Sequence, residues 1–218
     1  PNLRRPQNLG PMGQDSDASS ELPLRIGLFG GTFDPPHRGH IAVAADVADA
    51  LDLDRVLWIP AGHPPHKLLA DTAPLALRVE MTRAVISADS RFKMTGIEAE
   101  RMGPSYTVET AQALKENYPG AKLFLIIGTD QFRQLHLWKN PEKLLSLVEL
   151  VVMDRDGQRG RDHTPHLAGA ENAHFVPVRK IDISSTDVRI AVNDGQNVTT
   201  LIPSAVAEII VREGLYRN

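Results

Sequence analysis

Short apolar runs alternate with helical patterns from residue 24 to residue 213, and that order leaves the chain few architectures to choose from. Runs rich in Val, Ile, Leu and Phe are expected as strands at 24–29, 55–59, 92–95, 122–127, 150–153 and 174–178. Apolar periodicity with start signals places helices at 40–51, 74–88, 107–117, 141–147, 185–192 and 204–213. Strands separated by helices pair side by side through crossovers, which makes the sheet parallel and covers its faces with helices, an α/β fold. Ligands of such sheets gather outside the carboxyl ends of the strands, near the point where the strand order reverses. The loops that follow the expected strands are therefore where the chemistry is to be sought.

With 218 residues, 42% of them hydrophobic, the chain can bury a full core, and residues 25–218 are expected to form a single domain. Residues 1–24, PNLRRPQNLGPMGQDSDASSELPL, hold too few large apolar side chains to pack a face and read as a flexible tail. No stretch has signal-peptide or membrane-spanning character, so a cytoplasmic protein with no membrane partner is expected. The absence of cysteine excludes disulfides and thiolate metal sites. A formal net charge of −3 without a basic block argues against a nucleic-acid groove and for a small-molecule partner.

The first strand runs into GGTFDPPHRGH, residues 30–40, and the helical pattern IAVAADVADAL follows at once. A strand, a Gly-rich turn and a helix start in succession aim backbone N–H groups and the positive end of the helix dipole at one spot, which suits a phosphate. Gly30, Gly31, Thr32 and Phe33 make up that turn, and Gly39 at the helix start has no side chain to keep a ligand from the backbone. His37 and His40, three residues apart, can share one side of the first turn and face one anion. An isolated HxxH is equally a helix start with two surface histidines, or half a metal site. The strand and the GGTFDP in front of it favour the phosphate reading. The stretch is neither GxxxxGK[ST], whose Lys is missing, nor GxGxxG.

Four later loops carry polar clusters. In PAGHPPHK, 60–67, three prolines keep the backbone extended and short of donors, and His66 and Lys67 are candidate phosphate contacts, although alone the segment would be a solvated Pro-rich loop. In GPSYTVET, 103–110, Ser105 or Thr107 is expected to cap a helix with Glu109 in its first turn; the N–H groups and the Thr107 hydroxyl can take a carboxylate, and a plain cap looks the same. The strand LFLII ends in GTD, where Asp130 can contact a ribose or orient the loop, while Trp138 either offers an indole face to an electron-poor ring or fills the core. In ISSTDVR, 183–189, Ser184 and Asp187 have capping-box spacing, and Arg189 is expected in the first turn, where a cation opposes the dipole. That placement points to an anion held there by Ser184, Ser185, Thr186 and Arg189, a second phosphate seat. His163 and His166, in the charged stretch 155–173, lack a third ligand nearby and are assigned no role.

Taken in order, these segments, with TGIEAERMGPSYTVET and the closing IPSAVAEIIVREGLY, resemble the bacterial nicotinate mononucleotide adenylyltransferases, a branch of the HxGH nucleotidyltransferase superfamily, from about residue 25 to residue 216. HxGH and ISSTxxR mark the superfamily, whereas SYT and the later Trp point to the nicotinate branch. The N-terminal extension and the 155–173 stretch depart from the pattern, which leaves a homo-oligomer open as the assembly state. The resemblance implies a Rossmann-like, doubly wound, mostly parallel sheet. It implies transfer of AMP from ATP to the phosphate of nicotinate mononucleotide, giving deamido-NAD and pyrophosphate in NAD biosynthesis, with Mg²⁺ held mainly by phosphate and water.

In that scheme His37, His40 and Arg189 are catalytic. Gly30, Gly31, Thr32, Phe33, Gly39, Ser184, Ser185 and Thr186 contact ATP, and His66, Lys67, Tyr106, Thr107, Asp130 and Trp138 contact the mononucleotide. An attacking phosphate with a second pKa of about 6 is largely dianionic at neutral pH and needs no general base, so the lack of a catalytic carboxylate pair is no objection. Two other readings stay open: a same-fold transferase acting on another phosphate acceptor, nicotinamide mononucleotide or phosphopantetheine, and a non-catalytic nucleotide-binding module. The intact HxGH favours an enzyme.

Overall fold

The computed structural model describes residues 22–63, 72–154 and 165–217. Six strands, β1 (Arg25–Gly31), β2 (Arg55–Pro60), β3 (Phe92–Met94), β4 (Lys122–Gly128), β5 (Glu149–Asp154) and β6 (His174–Pro177), form one sheet in the order β3-β2-β1-β4-β5-β6. Every neighbouring pair is parallel. The helices are α1 (Arg38–Ala50), α2 (Leu75–Val85), α3 (Thr107–Asn117), α4 (Thr129–Arg133), α5 (Pro141–Leu147), α6 (Ser185–Asn193) and α7 (Ser204–Glu213). The expected strands and helices are found with ends shifted by at most two residues, except that the last turn of the expected 74–88 helix, Ile86–Ala88, is a tighter 3-10 turn. Helix α4 was not expected, because five residues are too few to show a period.

Period-2 alternation along the strands divides the core in two. On β2, Val56 and Trp58 face one cluster while Leu57 and Ile59 face the other; on β4, Phe124 and Ile126 oppose Leu123, Leu125 and Ile127. The first cluster is closed by Val43 and Val47 of α1, Met81 of α2, Val188 of α6 and Ile210 of α7. The second is closed by Val108 and Leu114 of α3, Phe132 of α4 and Leu144 of α5. Helices thus cover both faces, the doubly wound arrangement expected. Each fully buried side chain of this size contributes about 1.5–3 kcal/mol, and Trp58 and Phe124 are both 0% exposed. Among the described residues, no helix is long and apolar enough to cross a membrane.

Strand order determines where a ligand can sit. From β1 the chain moves outward to β2 and β3, then returns to β4 on the other side of β1. The crossovers from β1 and from β4 therefore leave in opposite directions, and a crevice opens between the carboxyl ends of these two strands.

Candidate active site

A cleft of about 350 Å³ occupies that crevice, lined by Gly30, Gly31 and His40 from the β1 side and by Gly128, Thr129 and Asp130 from the β4 side. The histidines are held by each other's backbone. His37 is the N-cap of α1; its Nδ1 accepts from the His40 N–H at 3.3 Å, and the His40 Nδ1 accepts from the His37 N–H at 3.2 Å. This is a capping box built from two imidazoles. The rings stack with centroids 3.7 Å apart and 25° between planes. A nitrogen that accepts carries no hydrogen, so a neutral ring in this role has its proton on Nε2, at the edge turned away from the backbone it caps.

The pair is not symmetric. His37 is 4% exposed, while His40 reaches the cleft and rests edge-on against Phe33, at 5.3 Å and 84°. Phe33 is 2% exposed and has φ 49, a left-handed backbone that a bulky residue rarely adopts. Gly31 makes room for it, since a Cβ there would lie 2.9 Å from the Phe33 ring. Gly39 differs from expectation: the space its missing side chain leaves is taken by the His37 ring, 3.0 Å from an ideal Cβ, and by Ile181. The missing side chain thus lets the histidine pack.

The second helix beginning is tied to the same loop. Ser184 is the N-cap of α6, with its Oγ accepting from the Asp187 N–H at 3.1 Å and the Asp187 carboxylate accepting in return. The Ser185 hydroxyl donates to the Pro35 carbonyl at 2.9 Å, and Arg189 Nη1 donates to the Asp34 carbonyl at 2.8 Å. Arg189 Nη2 donates to the Thr186 hydroxyl at 3.1 Å. Two expectations change as a result. The Ser184 and Ser185 hydroxyls donate within the protein, to Asp187 and to the Pro35 carbonyl, whereas the Thr186 hydroxyl only accepts, from Arg189, and keeps its own hydrogen to donate, as do the first-turn N–H groups ahead of Asp187. Arg189 also lies one residue beyond the first turn, and Asp187 already faces the dipole there, so the dipole argument for a bound anion weakens. Asp187 is held below the ordinary carboxylate range by its hydrogen bonds from Ser184, with the His37 charge adding to them, which puts the two helix starts within electrostatic reach.

A buried ionic hub that no sequence pattern marked supports this loop. Asp34 is 2% exposed; its Oδ1 accepts from the Tyr216 hydroxyl at 2.7 Å and the Ala73 N–H at 3.1 Å. Arg78, on α2 and 1% exposed, donates to the carbonyls of Thr32 at 3.0 Å, Ala61 at 2.7 Å and Ala73 at 3.2 Å. It therefore ties the loop after β1 to the loop after β2. Burial pushes the Arg78 pKa down, and Asp34 works against that shift. The only hint in the sequence is an Arg within a helical pattern, which is ordinarily solvated.

On the other flank, neither Ser105 nor Thr107 caps α3. Tyr106 occupies the N-cap position and makes no side-chain cap, with Thr107 the first helical residue and Glu109 in the first turn. Ser105 instead pairs with the loop after β2: its N–H donates to the His63 carbonyl at 2.9 Å, and its Oγ accepts from the His63 N–H at 3.3 Å. Gly62 fits there because it lacks a side chain, a Cβ being 2.2 Å from the Glu98 carbonyl oxygen. Burial pushes the Glu98 carboxyl up, with the Thr110 hydroxyl, at 2.9 Å, opposing. Lys139 bridges to this segment, with Nζ 3.9 Å from the Tyr106 ring centroid and 2.8 Å from Glu109. Trp138, its neighbour, packs partly buried on the second core cluster. Tyr106, Thr107 and Trp138 are thus brought to one flank, and Asp130 is exposed in the cleft. His66, Lys67 and His163 lie outside the described residues, as does the tail up to residue 21.

The chain matches the cytidylyltransferase-like family over residues 28–191. It is 39% identical over 198 residues to a probable nicotinate-nucleotide adenylyltransferase of Rubrobacter xylanophilus, covering 89% of this chain and 92% of that one. A relative of the same name from Gemmatimonas aurantiaca is 40% identical over 202 residues, 89% and 93% of the two chains. In fold, the chain is similar to the nicotinic acid mononucleotide adenylyltransferase of Plasmodium falciparum complexed with NaAD, with TM-score 0.71 and 17% identity over 88% of this chain and 97% of that one. The sheet order, the crevice and these relatives agree: the chain belongs to the cytidylyltransferase-like family, in its group of nicotinate-nucleotide adenylyltransferases.

Proposed function

We propose that the protein transfers AMP from ATP to the phosphate of nicotinate mononucleotide, releasing pyrophosphate and forming deamido-NAD. One observation carries the site-level reading. The α6 beginning is bonded through Ser185 and Arg189 to residues 34 and 35, two residues before the imidazole pair of α1, whose His40 lines the β1–β4 crevice. A triphosphate laid across two helix starts meets N–H groups from both, imidazole edges from one and a guanidinium from the other.

The reaction needs little acid–base chemistry. A mononucleotide phosphate, largely dianionic at neutral pH, attacks the α-phosphorus in line; the bond to the bridging oxygen breaks, and its electrons leave with pyrophosphate. His40, at the cleft and supported by Phe33 and by the stacked His37, donates from Nε2 to the α-phosphate oxygens. Arg189 leaves its carbonyl partner to meet the departing pyrophosphate, while the α6 N–H groups hold the same anion. Positioning and charge neutralisation carry the rate.

Mg²⁺ fits this site as a companion of ATP. Among the described residues no group of three His, Asp or Glu could hold it, whereas Asp130 is a carboxylate in the cleft. Asp130 would be the cleft carboxylate that holds it, and the ion would supply neutralisation of phosphate charge there. On the Tyr106 flank, the α3 start and Lys139 favour a carboxylate over an amide on the pyridine ring. The test offers the protein ATP, Mg²⁺ and each of four acceptors in turn: nicotinate mononucleotide, nicotinamide mononucleotide, phosphopantetheine and glycerol phosphate. Pyrophosphate release with nicotinate mononucleotide far above the others is expected; a preference for any other acceptor refutes the assignment.

A further inference from the structure

Resting on the ATP site proposed above, we infer that Tyr216 is a positioning residue for ATP binding: by holding Asp34, it keeps that carboxylate from capturing Arg189. The two oxygens of Asp34 are unequal. Oδ1 accepts both the Tyr216 hydroxyl and the Ala73 N–H. Oδ2 is buried with no hydrogen-bond partner among the described residues and forms only a long ion pair with Arg189 Nη1, 3.9 Å away and beyond hydrogen-bond reach. Arg189 is bonded instead to the backbone carbonyl of that same Asp34 and to Thr186. The guanidinium therefore rests beside a buried carboxylate without being locked to it.

The turn after α7 is shaped to deliver the tyrosine hydroxyl. Gly214 and Tyr216 have φ of 63 and 62, and the Leu215 N–H closes the helix end by donating to the Ile210 carbonyl at 3.0 Å. Glycine takes that backbone readily, whereas tyrosine does so at a cost that its contact must offset. The contact reaches 182 positions back along the chain. Burial pushes the phenol pKa up, and Asp34 adds to the shift, so the hydroxyl stays a donor throughout the working pH range. Of the cations near Asp34, Arg78 is committed to the carbonyls of Thr32, Ala61 and Ala73. Without the tyrosine donor, a buried carboxylate left with one backbone N–H would draw in Arg189, and ATP would have to compete for it.

Tyr216→Phe keeps the ring and removes only the donor. Equilibrium titrations with α,β-methylene ATP and, separately, with nicotinate mononucleotide read the two substrates without turnover. ATP-analogue affinity should fall about tenfold, the scale of one hydrogen bond to a charged group, with mononucleotide affinity and the far-ultraviolet spectrum unchanged. Tyr216→Phe/Asp34→Asn, in which the side chain no longer carries a charge to draw in a cation, should recover most of the loss. Equal ATP-analogue affinity in wild type and Tyr216→Phe overturns the inference, as does a loss shared by both ligands or one that Asp34→Asn leaves in place. A wild type that binds the analogue but transfers nothing refutes the proposed function while this comparison still stands.

Discussion

Arg78 offers the most demanding check on how the site is held. Replacing it with Met keeps most of the stem and removes the guanidinium from a position 1% exposed. Three carbonyls, those of Thr32, Ala61 and Ala73, then lose donors at 2.7–3.2 Å, while the 3.5 Å approach to the Gly62 carbonyl is too long to weigh heavily. At about 1–3 kcal/mol for each buried group left unpaired, the gross cost is roughly 3–9 kcal/mol. Two effects offset it. The buried cation no longer has to be desolvated, the same burial that pushes its pKa down, and water can enter the shortened side chain's space to re-pair a carbonyl. A net loss of about 3–5 kcal/mol is expected, in the range for breaking a buried charged network.

Against a total of about 5–15 kcal/mol for a domain, such a variant stays folded at 25 °C with a much lower urea midpoint. Because Arg78 joins the β1 and β2 loops, ATP-analogue affinity should fall with stability. Arg78→Lys, a point charge with no planar fork, should recover little of either. A loss under about 1 kcal/mol for Arg78→Met, or full recovery with Lys, would refute the view that a guanidinium fork binds these loops.

Three further outcomes are expected. His40→Ala should lower turnover by about 10²–10³ while circular dichroism stays native, as for removal of one oxyanion donor; near-normal turnover removes His40 from the mechanism. Gly62→Ala, which places a methyl 2.2 Å from the Glu98 carbonyl oxygen, should raise the KM for the mononucleotide more than that for ATP, and equal changes would contradict a flank specific to one substrate. Asp89 is held below its ordinary 3.8 by hydrogen bonds from the Arg91 side chain, against the opposing effect of burial. A depressed carboxylate contributes stability above that value and loses it as pH falls through the folded pKa. The stability gap between wild type and Arg91→Ala should therefore be constant at neutral pH and shrink below 3.8, and a gap that widens in acid contradicts the assignment.

The elements and both helix beginnings were legible because their signals are local. Alternating strand and helix periods, the Ser184–Asp187 spacing and the Gly-rich turn before His37 act within a few residues of where they are read. What escaped reading was contact over distance. No local signal marks the bonds of Arg78 to the loops after β1 and β2, or the Tyr216–Asp34 hydrogen bond, because each joins residues far apart in the sequence. That the His37 ring fills the space beside Gly39 and that the Ser185 hydroxyl is spent on the Pro35 carbonyl could not be read locally, because those neighbours are placed by packing.

Sequence alone determined that a parallel, helix-covered sheet forms and that capped helix starts follow its strands, since period and capping are short-range properties of the backbone. Tertiary structure decided the order β3-β2-β1-β4-β5-β6, and with it the β1–β4 crevice, and it joined residues 185 and 189 to residues 34 and 35. It also decided which polar groups remain for a ligand, because a hydrogen bond made inside the protein is one that is no longer offered, and only the packed chain settles that allocation.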